Sequence, residues 1–256
     1  MPLTTEKVNL LPPRILIYGE PKKGKSTFGY QAPSPIFLRT EDGLADLPDA
    51  ITFPMCRKWS DVTKFLSELV GEEHGRKTLV IDSLDWLESL IHTKVCQDKG
   101  VKSIADIGYG AGFQLALVYW REYIHMINTL NEQKKMMILQ VAHSEISNYK
   151  NPDVESFSKH VIKMHAKASA LIKERSDIII FVSTILALKE GEGGFVKTSR
   201  AVGGGERVLY TSDKNNSECG SRFKELPQEI PFDRQGAYWN TILSSIPYFN
   251  QQKTGE

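Results

Sequence analysis

The chain has 256 residues, enough to bury a full core, and nothing in it forces a division into two domains. Its 32 basic and 31 acidic side chains leave a formal charge of +1, which excludes a broadly polycationic nucleic-acid binder; any such partner must be held by a local patch. Cys56, Cys96 and Cys219 are scattered and lack C-x-x-C spacing, which argues against a disulfide framework and a zinc site.

Residues 1–13 read as a loose lead-in ending in Pro12-Pro13. Arg14-Ile15-Leu16-Ile17-Tyr18 is a continuous apolar run suited to a strand buried on both faces. Pro35 to Thr40 is a second candidate strand, and Ser60 is placed to cap a helix through Glu68. A buried strand is predicted over Thr78 to Ser83, then a helix from Asp85 to about Gln97. Asp98 to Gly112 reads as a glycine-rich loop and Phe113 to about Glu132 as a long helix. Met136 to Ala142 is the next strand, ending at His143. Ser144 to Phe157 is polar and predicts an irregular loop, followed by a helix from about Lys159 to Arg175. Asp177 to Val182 is the most apolar strand. Beyond it, Gly191, Gly193, Gly194 and Gly203-Gly204-Gly205 punctuate short strands expected to pair as hairpins. Alternating strands and helices indicate one α/β domain with a largely parallel central sheet. No apolar run reaches the roughly 18 residues needed to cross a bilayer. No apolar signal-peptide core follows Met1, so the expectation is a cytoplasmic protein without membrane contact.

The pattern G-x-x-x-x-G-K-[ST] is matched by Gly19-Glu20-Pro21-Lys22-Lys23-Gly24-Lys25-Ser26, with Thr27 following. A buried strand precedes it and a helix is predicted after it, the context a phosphate loop (Walker A) requires: backbone amides turn toward the phosphates and a helix N-terminus adds positive potential. In that chemistry Lys25 reaches the β- and γ-phosphates of ATP, the Ser26 hydroxyl is a Mg²⁺ ligand, and Thr27 can add a contact near the α-phosphate. Lys22 and Lys23 raise the local potential or are simply solvated. Leu79-Val80-Ile81-Asp82 has the Walker B form, an apolar strand ending in a carboxylate that holds magnesium. Asp85 reads as a helix cap outside the site. Hydrolysis also needs a group to activate water. Ser83 occupies the position after Asp82, where many ATPases carry Glu, so Glu41 at the end of the second strand is the better candidate, although Glu41-Asp42-Gly43 also fits an acidic turn.

The motif order resembles the RecA core. More closely, the chain resembles phage-encoded AAA-type ATP-binding proteins, minimal RecA-like recombinases that anneal single-stranded DNA. The likeness rests on Thr40-Glu41-Asp42-Gly43-Leu44, Val80-Ile81-Asp82-Ser83-Leu84-Asp85, Ile107-Gly108-Tyr109-Gly110, Val141-Ala142-His143-Ser144, Ala168-Ser169-Ala170-Leu171-Ile172 and a late Arg222 before Leu226-Pro227. It covers about Arg14 to Pro231. It implies a P-loop NTPase, a single RecA-like domain over 1–256, with 1–13 as lead-in and 187–256 as a β-hairpin and C-terminal extension. It implies Glu41 as general base, His143 as the γ-phosphate sensor where RecA itself has glutamine, and Arg222 as an arginine finger. The Lys that family members often carry before that Arg is missing from Cys219-Gly220-Ser221-Arg222. The implied partners are single-stranded DNA, further copies of the chain in a ring or filament, and a single-strand-binding protein.

In RecA-like folds the loops after the Walker B and sensor strands face DNA. Here they offer Lys102 and Tyr109, then Lys150, followed by Lys159, Lys163 and Lys167, whose spacing of four predicts one stripe on a helix. Such a stripe also fits a solvated face. Two alternatives stay open: a P-loop kinase acting on a small molecule, and a nucleotide-gated binding module without significant turnover.

Overall fold

The computed structural model describes residues 3–151, 154–185, 187–190, 199–202, 205–213 and 216–253. In chain order the first half comprises β1 (Arg14–Gly19), α1 (Lys25–Tyr30), β2 (Pro35–Arg39), α2 (Trp59–Gly71), β3 (Thr78–Asp82), α3 (Leu84–Lys99) and α4 (Ala111–Gln133). It continues through β4 (Met137–Asn151), β5 (Val154–Ile162), α5 (Ala166–Arg175), β6 (Ile178–Thr184), β7 (Ala187–Glu190) and β8 (Ser199–Val202). The chain then forms β9 (Arg207–Tyr210), β10 (Gly220–Ser221), β11 (Glu229–Pro231), α6 (Tyr238–Ser244) and α7 (Pro247–Lys253).

The main sheet has the order β11-β9-β6-β1-β4-β3-β2, and its five strands β6-β1-β4-β3-β2 are parallel. Their continuous apolar runs follow from burial on both faces. In β1, Leu16 and Tyr18 join the core packed under α2, α3, α4 and α5, while Ile15 and Ile17 join a second core shared with Phe28 of α1 and Tyr238, Trp239 and Ile242 of α6. Alternation along one strand thus feeds two helical layers. The chain order reverses around β1, flanked by β4 and β6. In open α/β sheets, such a switch point beyond the strands' carboxyl ends is where ligands bind.

Two expectations are corrected. The polar stretch from Ser144 is a strand: β4 runs on past the sheet and pairs antiparallel with β5, from Ser144 opposite Ile162 to Asn148 opposite Ser158. Cross-strand pairing satisfies the backbone that a loop would leave to water. The predicted helix therefore starts only at Ala166, and the Lys stripe dissolves: Lys159 lies on β5, Lys163 in the connection and Lys167 on α5. The start of α2 also differs. Asp61, not Ser60, serves the helix end, its carboxylate accepting from the backbone N–H of Arg57 and Lys58 at 2.9 and 3.2 Å.

In the C-terminal region β7 and β8 form a hairpin, while β9 and β11 join the main sheet and α6 closes over α1. Gly191, Gly193, Gly194, Gly203 and Gly204 lie outside the described residues.

Candidate active site

The carboxyl ends of the parallel strands bring the sequence motifs together. Gly19 stands opposite both His143 and Val182, while Asp82 is opposite Arg39 on one side and Val141 on the other. Between Gly19 and α1 the chain turns through Glu20-Pro21-Lys22-Lys23-Gly24. Lys22 and Gly24 adopt left-handed φ angles of 63° and 94°, and Gly24 forms the N-cap of α1. Glycine is needed there for space as well: a Cβ on Gly24 would meet Arg207 Nη1 at 2.3 Å. That guanidinium donates to the Lys23 carbonyl at 3.0 Å and lies 4.8 Å from the Phe232 ring, bracing the loop from β9 and the residue after β11. Lys23 pairs with Glu20 at 3.4 Å and donates to the Thr184 hydroxyl at 3.0 Å. Trp239 Nε1 donates to the Phe28 carbonyl, and Phe28 lies face to face with Tyr238 at 5.2 Å, fixing α1 from below. Ser26 and Thr27 open that helix.

Lys25 is buried, its ammonium donating to the carbonyls of Gly19 and Glu20 at 3.0 and 2.8 Å. Burial pulls its pKa below the ordinary lysine value, opposed by the charges of Asp82, Glu41 and Asp85. Asp82 is 1% exposed, and among the described residues neither of its carboxylate oxygens has a hydrogen-bond partner. Burial raises its pKa, while the Ser26 hydroxyl, Lys25 and His143 act in the opposite sense. A buried anion with unused oxygens beside a serine hydroxyl suits a hard divalent cation such as Mg²⁺, which keeps few protein ligands and takes the rest from water and phosphate. Ser26 and Asp82 would hold it, and it would supply charge neutralisation at the phosphate oxygens.

Glu41 follows β2. Thr40 locks this strand end to β3: its N–H donates to the Asp82 carbonyl, and its hydroxyl exchanges hydrogen bonds with the backbone of Ser83 at 2.7 and 2.8 Å. Burial, then the charge of Asp82, raise the Glu41 pKa, with Asp85 adding to them and His143 opposing. Glu41 Oε1 lies 4.0 Å from His143 Nε2.

The other face of that imidazole shows what sequence reasoning missed. His143 Nδ1 faces both carboxylate oxygens of Asp85 at 3.1 and 3.0 Å, and its backbone N–H donates to the same group at 3.1 Å. Burial alone would raise the Asp85 carboxyl, but these bonds and the histidine's charge hold it below the usual range. Asp85, read from sequence as a cap, lies in the first turn of α3 and orients His143. The two residues are 58 positions apart, and no local pattern signals their pairing. A cavity of about 510 Å³ opens beside them, lined by Pro21, Asp85, Trp86, His143, Glu145 and Lys163.

The remaining candidates lie apart from this cluster. Lys102 and Tyr109 are exposed on the α3–α4 connection, Tyr109 with a left-handed φ of 55°. Lys150 falls within β4, its side chain outside the described part. Lys159 pairs with Asp213 at 3.8 Å. Lys163 is exposed, and its backbone N–H donates to the His143 carbonyl at 2.9 Å, so it borders His143. Arg222 binds Asp177 Oδ1 and the Glu174 carbonyl, both at 2.9 Å. Asp177 precedes β6, whose Val182 faces Gly19; five strand residues, about 16 Å, thus separate Arg222's anchor from the phosphate loop of its own chain.

Among the described residues the cysteines are free, and no helix is long and apolar enough to cross a membrane. No curated protein matches the chain. A family model described as the AAA domain matches residues 11–223, which takes in the phosphate loop, Glu41, Asp82 and His143 and most of the chain. The chain belongs to the AAA domain family, a family of nucleotide-binding ATPases.

Proposed function

We propose that this chain is an ATP-hydrolysing DNA recombination protein that binds single-stranded DNA and promotes annealing or strand pairing. The observation that carries the reading is the position of His143. It touches Glu41 and Asp85 inside the nucleotide site, and the next residue, Ser144, begins the β4–β5 hairpin that extends from the sheet. One strand therefore links the γ-phosphate end of the site to an element that can meet a partner, so nucleotide state can bias the hairpin as a two-state population.

In this reading Lys25 binds the phosphates and Ser26 and Asp82 hold Mg²⁺. Glu41, kept from easy ionisation by burial and Asp82, accepts the proton of the attacking water. His143, held by Asp85, reads the γ-phosphate. Lys102, Tyr109, Lys150, Lys159 and Lys163 supply strand contacts, and copies assembled in a ring or filament bring Arg222 to a neighbour's nucleotide.

The test is ATP hydrolysis measured with and without single-stranded DNA, with Lys25→Ala as control, alongside an ATP-dependent mobility shift of a labelled strand. Hydrolysis that DNA stimulates supports the proposal. An absence of binding at low salt with ATP present removes its DNA half. The cavity beside Asp85 and Trp86 keeps one rival in view, since a small-molecule kinase needs such an acceptor space. Radiolabelled ATP separates the two: free phosphate marks an ATPase and a labelled organic product a kinase.

A further inference from the structure

At the opposite end of the sheet, where β1 to β4 begin, a cavity of about 460 Å³ opens between Pro12, Pro33, Thr78 and Met137. Its position follows from topology. Thr78 of β3 stands opposite Met137 of β4, so the two connections that enter these strands arrive side by side, and Met137 N–H donates to the Lys77 carbonyl at 2.9 Å. Those connections end in Arg76-Lys77 and Lys134-Lys135, which puts four cations at one rim. Lys134 is engaged by Glu73 at 2.9 Å and by the Glu72 carbonyl at 3.2 Å. Among the described residues the side chains of Arg76, Lys77 and Lys135 take part in no ion pair.

The facing wall is Leu243 of α6 with Tyr248 and Phe249 of α7, two half-buried rings 5.0 Å apart at 85°. This wall follows residue 223 and so lies outside the part of the chain that matches the AAA domain. Uncompensated cations beside aromatic rings are the pairing that recognises a nucleotide unit: cations track phosphates and rings stack on bases irrespective of sequence. The volume falls within the range of small-ligand pockets.

We propose that this cavity is a second contact for single-stranded nucleic acid, taking one nucleotide unit with its phosphates on Arg76, Lys77 and Lys135 and its base against Tyr248 or Phe249. The inference rests on the single-strand reading above and adds to it a contact remote from the ATP site. The test uses the full chain saturated with Mg²⁺ and a non-hydrolysable ATP analogue, so that the phosphate loop is filled and does not compete, and reads fluorescence anisotropy of a labelled oligothymidylate across a salt series. Adding Lys77→Glu with Lys135→Glu is expected to weaken binding about tenfold or more. It should also lower the slope of log affinity against log salt by roughly 1.4, about 0.7 for each lost phosphate contact. Adding Tyr248→Ala is expected to cost roughly tenfold. The charge-reversed chain should keep basal ATP hydrolysis, showing that the fold survives. Unchanged affinity and slope in the charge-reversed chain overturn the site while leaving the single-strand reading in place. Free thymidine monophosphate binding as tightly as the strand overturns the assignment to nucleic acid. A parent chain that fails to bind the strand at low salt with the nucleotide present removes both.

Discussion

Asp85→Asn tests the part of the site that sequence reasoning left out. In the folded chain Asp85 accepts from both Nδ1 and the backbone N–H of His143, with side chains only 10% and 17% exposed. Charge-assisted bonds in such surroundings contribute about 1.5–3 kcal/mol, and the neutral acceptor that asparagine retains about 0.5–1.5. Relief of the repulsion between Asp85 and its neighbours Asp82 and Glu41 acts the other way. The net loss is about 1 kcal/mol, a fall of about 2–4 °C in melting temperature for a chain of this size. Catalysis should suffer more than stability. An imidazole released from its orienting carboxylate is expected to lower kcat about 10- to 100-fold, the usual scale for loss of a histidine's supporting partner. The pH profile gives the distinguishing sign. Asp85 helps to raise the Glu41 pKa, so neutralising it should move the acid limb of kcat/KM to lower pH, whereas His143→Ala, which removes an opposing influence, should move it higher. Full kcat with an unmoved acid limb in Asp85→Asn would refute the coupling of Asp85, His143 and Glu41.

Glu41→Gln should lower kcat by about 10²- to 10⁴-fold while nucleotide affinity holds within a few-fold, as single-turnover kinetics and equilibrium binding would show; unaltered turnover would remove its role as base. Glu88 is buried, accepts from the His165 N–H at 3.0 Å, and has its pKa pushed up by burial to about 7 from an ordinary 4.5. A raised carboxyl gives stability that is present below about pH 4.5 and is lost as pH rises through about 7, roughly 3 kcal/mol in all. Glu88→Gln keeps an acceptor for His165 and should flatten that decline, which melting curves from pH 4.5 to 8 would test; parallel curves for the two proteins would contradict the assignment. Trp239→Ala should cost about 3–5 kcal/mol, since the indole is 4% exposed and packs on Phe28 beneath the phosphate loop. A melting temperature equal to that of the parent chain would show that α6 does not support α1.

Local chemistry was legible without the fold. The phosphate loop is written in consecutive residues because one turn between a strand and a helix builds it. The apolar run ending in Asp82 is legible because a strand buried on both faces needs no alternation. Five parallel strands and four of the helices could be read from period and punctuation for the same reason. The hairpin of β4 and β5 was not legible. Its polar residues are stabilised by pairing with one another rather than by a core, and the lysines at 159, 163 and 167 mimic a helical period by accident of spacing.

What the tertiary structure alone decided is which distant residues meet. Asp85 becomes the partner of His143, and Arg207 the brace of Gly24, because strands adjacent in the sheet are far apart in the chain. The basic cavity exists because connections ending at Lys77 and Lys135 enter neighbouring strands while α7 returns from the C-terminal region to wall it. A sequence records the geometry of contacts within a turn or two of backbone. Contacts between elements depend on strand order, and that order is set only when both apolar layers close over the sheet.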